Sequence, residues 1–191
     1  MTVRSEIPVI DVSAVVNDDS AGIDDLARQM GEACRRIGFF CVTGHGIDPA
    51  VLRRSFEMSQ AFFALPLERK MAVTMTKSPN NLGYMPFAGE TLDPDKPGDL
   101  KETYNLGLDL AADDPEILAG KPFRGVNQWP DLPDFRAAML AYYNAVWTLG
   151  RQLHFAFSRD LGLADEFFED KLDRPLGYLL LPHYPANAQP T

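Results

Sequence analysis

Three histidines, His45, His154 and His183, are the only imidazoles in a chain of 191 residues. Transition-metal binding and proton transfer near neutral pH draw first on this residue type. Their spacing offers little of either, because no two stand in a His-x-x-x-His arrangement and none opens a His-x-Asp pair. His45 lies between two glycines in a turn, where an imidazole bonds a nearby backbone group. His154 falls beside an apolar stripe at helical spacing, a packing or surface position. His183 differs, since Pro182, Tyr184 and Pro185 stop an apolar run around it. A strand-end turn and a functional role are both open there.

Other chemistry is absent from the motifs. No serine sits in a Gly-x-Ser-x-Gly elbow, no glycine-rich loop ends in Lys-Ser/Thr, and Gly44-His45-Gly46 lacks the third glycine of a dinucleotide fingerprint. The pairs Asp24-Asp25 and Asp113-Asp114 fall at helix starts or in loops, where carboxylates balance a helix dipole or are solvated rather than paired for acid–base work. Cys34 and Cys41 are too few for a disulfide framework and read as small buried thiols.

The elements that position these residues are legible from periodicity. Ile7–Val12 is short, apolar and β-branched, a first strand. Apolar residues recur at three and four between Gly22 and Ile37, and Gly38 then ends that helix. Residues 39–43 form a second strand, and Asp48-Pro49 opens a helix with Leu52, Phe56, Ser59 and Phe63 on one face. Leu65-Pro66 breaks it, and a short helix resumes through Met71. The stretch from Thr76 to Gly98 is rich in Asn, Pro and Gly, with 83–87 its one extended segment. Residues 101–108 alternate, with Glu102, Tyr104, Leu106 and Leu108 on one face. Pro133 opens the longest helix, whose stripe runs from Phe135 through Val146 to Phe157. A short helix over Asp165–Lys171 leads to a closing strand from Leu176, apolar enough to be covered on both faces. The fold class predicted is mixed α/β of the α+β type, with helices beside a few strands.

Composition narrows the partners. A net charge of -9 leaves no basic face for nucleic acid or anionic membrane. No stretch approaches the ~20 apolar residues of a membrane span, and residues 1–10 lack the basic start and apolar run of a signal peptide, so a cytoplasmic protein is expected.

Several segments, in order, resemble the N-terminal half of the iron- and 2-oxoglutarate-dependent oxygenases of the isopenicillin N synthase type. They are Ile7-Pro8-Val9-Ile10-Asp11, the run Gly38-Phe39-Phe40-Cys41-Val42-Thr43-Gly44-His45-Gly46-Ile47, and Phe62-Phe63-Ala64-Leu65-Pro66 with Glu68 and Lys70. Gly83-Tyr84, Asp99–Tyr104 and His183-Tyr184-Pro185 follow.

The resemblance implies the helical and outer-strand part of a distorted double-stranded β-helix, a jelly roll that is incomplete here, with a long central helix. It implies an N-terminal domain over residues 1–175, and a first strand and loop over 176–191 leading into a C-terminal oxygenase domain. It implies a small-molecule substrate oxidised with O2, and Fe(II) and 2-oxoglutarate as cofactors, neither expected to bind tightly to this chain alone. The iron ligands, a His-x-Asp pair and a second His, are expected beyond Thr191. Tyr184 matches the tyrosine that hydrogen-bonds a carboxylate of the cosubstrate or substrate, although Pro182 and His183 replace the residues that precede it in the family. Tyr104 and Leu106 match strand positions that can face substrate, with core packing as the alternative, and Tyr84 is a further substrate-side candidate. Asn81 and Leu82 stand where the synthase presents an Arg-Asn pair, which argues against a penicillin-forming activity. A non-catalytic binding module built from the same layer is the competing reading.

Overall fold

The computed structural model describes residues 6–91, 95 and 98–186. The chain divides into two compact units, Met1–Pro49 with Tyr142–Arg174, and Ala50–Ala141 with Pro175–Thr191.

In the first unit, β1 (Val9–Asp11) and β2 (Cys41–Thr43) pair in parallel, Ile10 opposite Val42. Parallel strands need a crossover connection rather than a hairpin. It is made by the short α1 (Ser13–Val16) and by α2 (Ser20–Arg36). The Asp19 carboxylate caps α2 by accepting from the Ala21 N–H at 3.2 Å, so the helix starts two residues before the Gly22 that periodicity marks. At its other end Gly38 adopts φ +83°, a conformation open to glycine at little cost. Ile10, Val12, Val15, Leu26 and Met30 form the core, joined by Leu149 and Ala156. The latter two lie on the C-terminal half of the long helix α6 (Phe135–Asp160). Arg159 secures this unit by pairing with Asp24 at 2.8 Å and Asp165 at 3.0 Å.

The second unit contains α3 (Pro49–Phe63), α4 (Leu67–Met71), α5 (Pro115–Leu118) and the N-terminal part of α6. Its sheet has the order β3 (Gly83–Met85), β4 (Glu102–Leu106), β5 (Leu179–His183), antiparallel throughout. Gly83 has φ +115°, and a Cβ there would lie 2.4 Å from the Val73 carbonyl, so glycine alone fits. Phe62 sits at the centre of the core, its ring centroid 4.9 Å from Tyr104, 5.3 Å from Phe135 and 5.9 Å from Tyr84. Such tilted and edge-on pairs match the positive ring edge to the negative face. Asp109 holds the loop after β4, accepting from Asn127, Trp129 and Arg136 at 3.2, 3.2 and 2.7 Å.

Several expectations change. On α3 the buried stripe is Ser55, Met58 and Phe62, with Phe63, whereas Phe56 and Leu52 are exposed. The helix is rotated so that Phe62 reaches the tyrosines. The apolar stripe of α6 is interrupted at the exposed Val146, because its two ends serve different cores. The closing strand begins at Leu179 rather than Leu176 and alternates in burial, with Leu180 half exposed, so it is not covered on both faces. The helix predicted over Asp165–Lys171 shrinks to a single 3-10 turn, Glu169–Lys171. Cys34 and Cys41 are exposed rather than buried.

Candidate functional site

Residues directly opposite in an antiparallel sheet project to the same face. Glu102 faces His183, Tyr104 faces both Tyr84 and Leu181, and Leu106 faces Leu179. These side chains share one face of the sheet. Met85, Thr103, Asn105, Leu180 and Pro182 occupy the other.

On the first face the strand alternation carries a carboxylate into the interior. Glu102 is 5% exposed, and Lys70, delivered by α4, is 8% exposed. Burial of either charge alone is costly, so the pair stands only with its hydrogen bonds filled. One Glu102 oxygen accepts from the Lys70 ammonium at 2.7 Å and from the Tyr84 hydroxyl. The other is 2.8 Å from His183 Nδ1. Lys70 also donates to the Phe63 carbonyl at 3.2 Å. Burial raises the Glu102 pKa, but the hydrogen bonds from Lys70, Tyr84 and His183 and the lysine charge outweigh it, and the net shift is downward. Burial, with the Glu102 carboxylate beside it, pushes the Tyr84 phenol well above its ordinary range. Tyr104 is raised mainly by burial, with Asp109 adding to it, and its hydroxyl donates to the Gln128 carbonyl at 2.6 Å.

His183 lies flat on Phe63, ring centroids 4.9 Å apart and planes 23° from parallel. Beside it runs a groove of about 350 Å³, between Phe56, Ser59, Gln60 and Phe63 of α3 and Pro182 and His183 of β5. Tyr184 follows β5 immediately and is 69% exposed.

Of the residues singled out from sequence, the structure brings Tyr84, Tyr104 and Leu106 together on the enclosed face, each at most 1% exposed. Tyr184 stands apart from them at the open end of β5. Lys70 and Glu102 both lie in motif segments, but nothing in those motifs pairs them; the one further signal is that Glu102 is the charged residue on the apolar face of an alternating strand. The other histidines are locally engaged. His45 Nδ1 accepts from the Ile47 N–H at 3.1 Å, and His154 Nδ1 lies 2.7 Å from the Gly150 carbonyl with its ring against Phe157 and Phe168. Among the described residues no group of three or more His, Cys, Asp or Glu side chains is placed to hold a metal ion, and no helix is long and apolar enough to cross a membrane. The donor set these residues offer therefore does not fit an iron centre.

Residues 7–132 match the family described as non-haem dioxygenase in morphine synthesis N-terminal. A 2-oxoglutarate-Fe(II) type oxidoreductase, hxnY of Emericella nidulans, is 32% identical over 94% of this chain and 52% of its own length. A second 2-oxoglutarate-Fe(II) type oxidoreductase, from Aspergillus fumigatus, is 31% identical over 97% of this chain and 56% of its own. The chain thus spans about half the length of the curated relatives it matches. Among solved structures, a 2OG-Fe(II) oxygenase family protein from Caulobacter crescentus aligns at TM-score 0.76 and 27% identity, over 94% of this chain and 56% of its own. A full-length Neurospora crassa protein solved in complex with alpha-KG aligns at TM-score 0.74 and 28% identity, over 94% and 54%. With the ordered motifs, the three-stranded sheet and a match to the family's N-terminal model over most of its residues, the chain belongs to the iron- and 2-oxoglutarate-dependent oxygenase family.

Proposed function

We propose that this chain forms the N-terminal layer of an oxygenase that oxidises a small organic substrate with O2, using Fe(II) and 2-oxoglutarate. In this reading the iron ligands come from polypeptide outside the described residues, and the protein acts in the cytoplasm. The chemistry supplied by the bound metal and cosubstrate is activation of O2. What this chain supplies is position and hydrogen bonding.

The observation that carries the reading is the exposed phenol of Tyr184 at the end of a strand whose other face is locked to a buried carboxylate. A phenol donates one hydrogen bond, and a carboxylate on the cosubstrate or substrate accepts it as a charge-assisted bond. Tyr84, Tyr104 and Leu106 act from behind the sheet in this scheme. Their hydroxyls and methyls are spent on the core, and they set the plane from which Tyr184 projects.

The test is to read the gene past the codon for Thr191 and assay the product of the whole reading frame. A His-x-Asp pair, a later histidine, and 2-oxoglutarate-dependent O2 uptake are the expected result. A reading frame without those ligands, whose protein neither binds nor consumes 2-oxoglutarate, overturns the proposal in favour of a non-catalytic module.

A further inference from the structure

We propose that Glu102 is a positioning residue: acting through His183, it fixes the C-terminal end of β5 and hence the backbone from which Tyr184 departs. The inference rests on the role given above to Tyr184 only for its catalytic consequence.

Glu102 is an ionised carboxylate with both oxygens engaged, and an ionised carboxylate only accepts hydrogen bonds. Nδ1 of His183 must therefore carry the proton. The ring is fixed at two points, edge-on by the Glu102 oxygen at 2.8 Å and face-on by Phe63 at 4.9 Å. Glu102 is itself immobile, since Lys70 from α4 and Tyr84 from β3 converge on its second oxygen. The register puts Glu102 and His183 directly opposite, in the last pair of the β4–β5 ladder. Beyond this pair the chain turns away with an exposed tyrosine and a proline, Tyr184 and Pro185. Leu180 and Pro182 on the opposite face are exposed, so that end is held from the enclosed face alone, where the stack on Phe63 leaves the ring free to slide and the bond to Glu102 does not. The carboxylate–imidazole bond is the anchor.

In Glu102→Gln the amide keeps its oxygen toward the two donors Lys70 and Tyr84 and turns its NH2 to His183, so Nδ1 must become an acceptor. Side-chain nitrogen NMR on the chain, whose two other histidines, His45 and His154, provide internal controls, reads this directly. In the wild type His183 and His154 are expected in the Nδ1–H form and His45 in the Nε2–H form. In Glu102→Gln only His183 should change to Nε2–H. Hydrogen exchange supplies the second readout in a variant expected to fold, because the His183 side chain is 41% exposed. His183→Leu should speed exchange of the amides at the C-terminal end of β5 roughly tenfold or more, while His183→Asn, which keeps an N–H near the place of Nδ1, should restore protection. An Nε2–H form in the wild type, or unchanged β5 exchange in His183→Leu, overturns the proposal. In the whole enzyme His183→Leu should raise KM for 2-oxoglutarate with kcat little changed. If tautomer and exchange respond while that KM does not, the positioning by Glu102 stands and the assignment of Tyr184 to the cosubstrate fails.

Discussion

Tyr84 and Tyr104 lie directly opposite each other on β3 and β4, and both rings pack on Phe62, yet their hydroxyls leave the core toward different partners. Tyr84 donates to the Glu102 carboxylate, whereas Tyr104 donates to the neutral Gln128 carbonyl. The two phenols therefore differ in the charge of the group they satisfy. A bond to a charged partner stabilises by about 1.5–3 kcal/mol, and a neutral one by about 0.5–1.5 kcal/mol. Tyr84→Phe should accordingly lower the urea midpoint more than Tyr104→Phe, by measured unfolding free energies of about 2 and about 1 kcal/mol. Equal losses would mean that the Tyr84–Glu102 bond carries no charge assistance.

Lys70 and Glu102 test the same site from the other side. Lys70→Met leaves a buried carboxylate without its counter-ion and should destabilise the chain by about 3–5 kcal/mol. Adding Glu102→Leu removes the orphaned charge, so the double variant should recover a large part of that loss. A double variant no more stable than Lys70→Met would show that the bonds Glu102 makes to Tyr84 and His183 are worth as much as its orphaned charge costs.

The acid limb of stability follows from the sign of two shifts. Glu102 is held below the ordinary carboxylate range because the hydrogen bonds and charge around it outweigh burial, and Asp109 is lowered in the same way, with Arg136 the leading hydrogen-bond partner. A carboxylate with a depressed folded pKa contributes stability above its unfolded pKa, which for these residues is about 4. That stability is lost as pH falls through the folded value. Denaturation curves from pH 7 down to about 2.5 should show stability falling below about pH 4, and Glu102→Gln should flatten the fall. A fall of the same steepness in Glu102→Gln would assign it to other carboxylates. At the alkaline end the direction reverses: Tyr84 and Tyr104 are raised, chiefly by burial, so their contribution is present below about pH 10 and lost above it.

How much of this is legible in the sequence depends on what signal each residue leaves. The alternation of residues 101–108 places Glu102, Tyr104 and Leu106 on one face, and the structure keeps them there. It does not say what covers that face. The helix stripe on α3 carries too many apolar residues to fix its own rotation, so periodicity puts Phe56 inside and does not single out Phe62 as the centre. Charge on an apolar face is the visible sign of Glu102. Its partner Lys70 lies 32 positions away on a short helix, and no local pattern encodes a pairing of that separation. The alternating exposure of β5 is hidden for a similar reason. An apolar run looks the same whether a face is covered or not, and Leu180 and Pro182 differ from Leu179 and Leu181 only through the register with β4.

Tyr184 separates stability from function. Its side chain is mostly exposed, and surface substitutions away from caps and buried networks usually fall within about 0.5 kcal/mol of the parent. Tyr184→Phe should therefore leave the unfolding midpoint of the chain unchanged. On the role proposed for Tyr184, the same change in the whole oxygenase should remove a charge-assisted bond of about 1.5–3 kcal/mol, read as roughly a ten- to hundredfold rise in KM for 2-oxoglutarate or for a carboxylate substrate. The two measurements together are decisive. A destabilised Tyr184→Phe protein would assign the phenol to the fold, and unchanged kinetics on a stable protein would remove it from the site. A rise in KM on an unaltered melt would identify the end of β5 as the place where this layer meets its ligand.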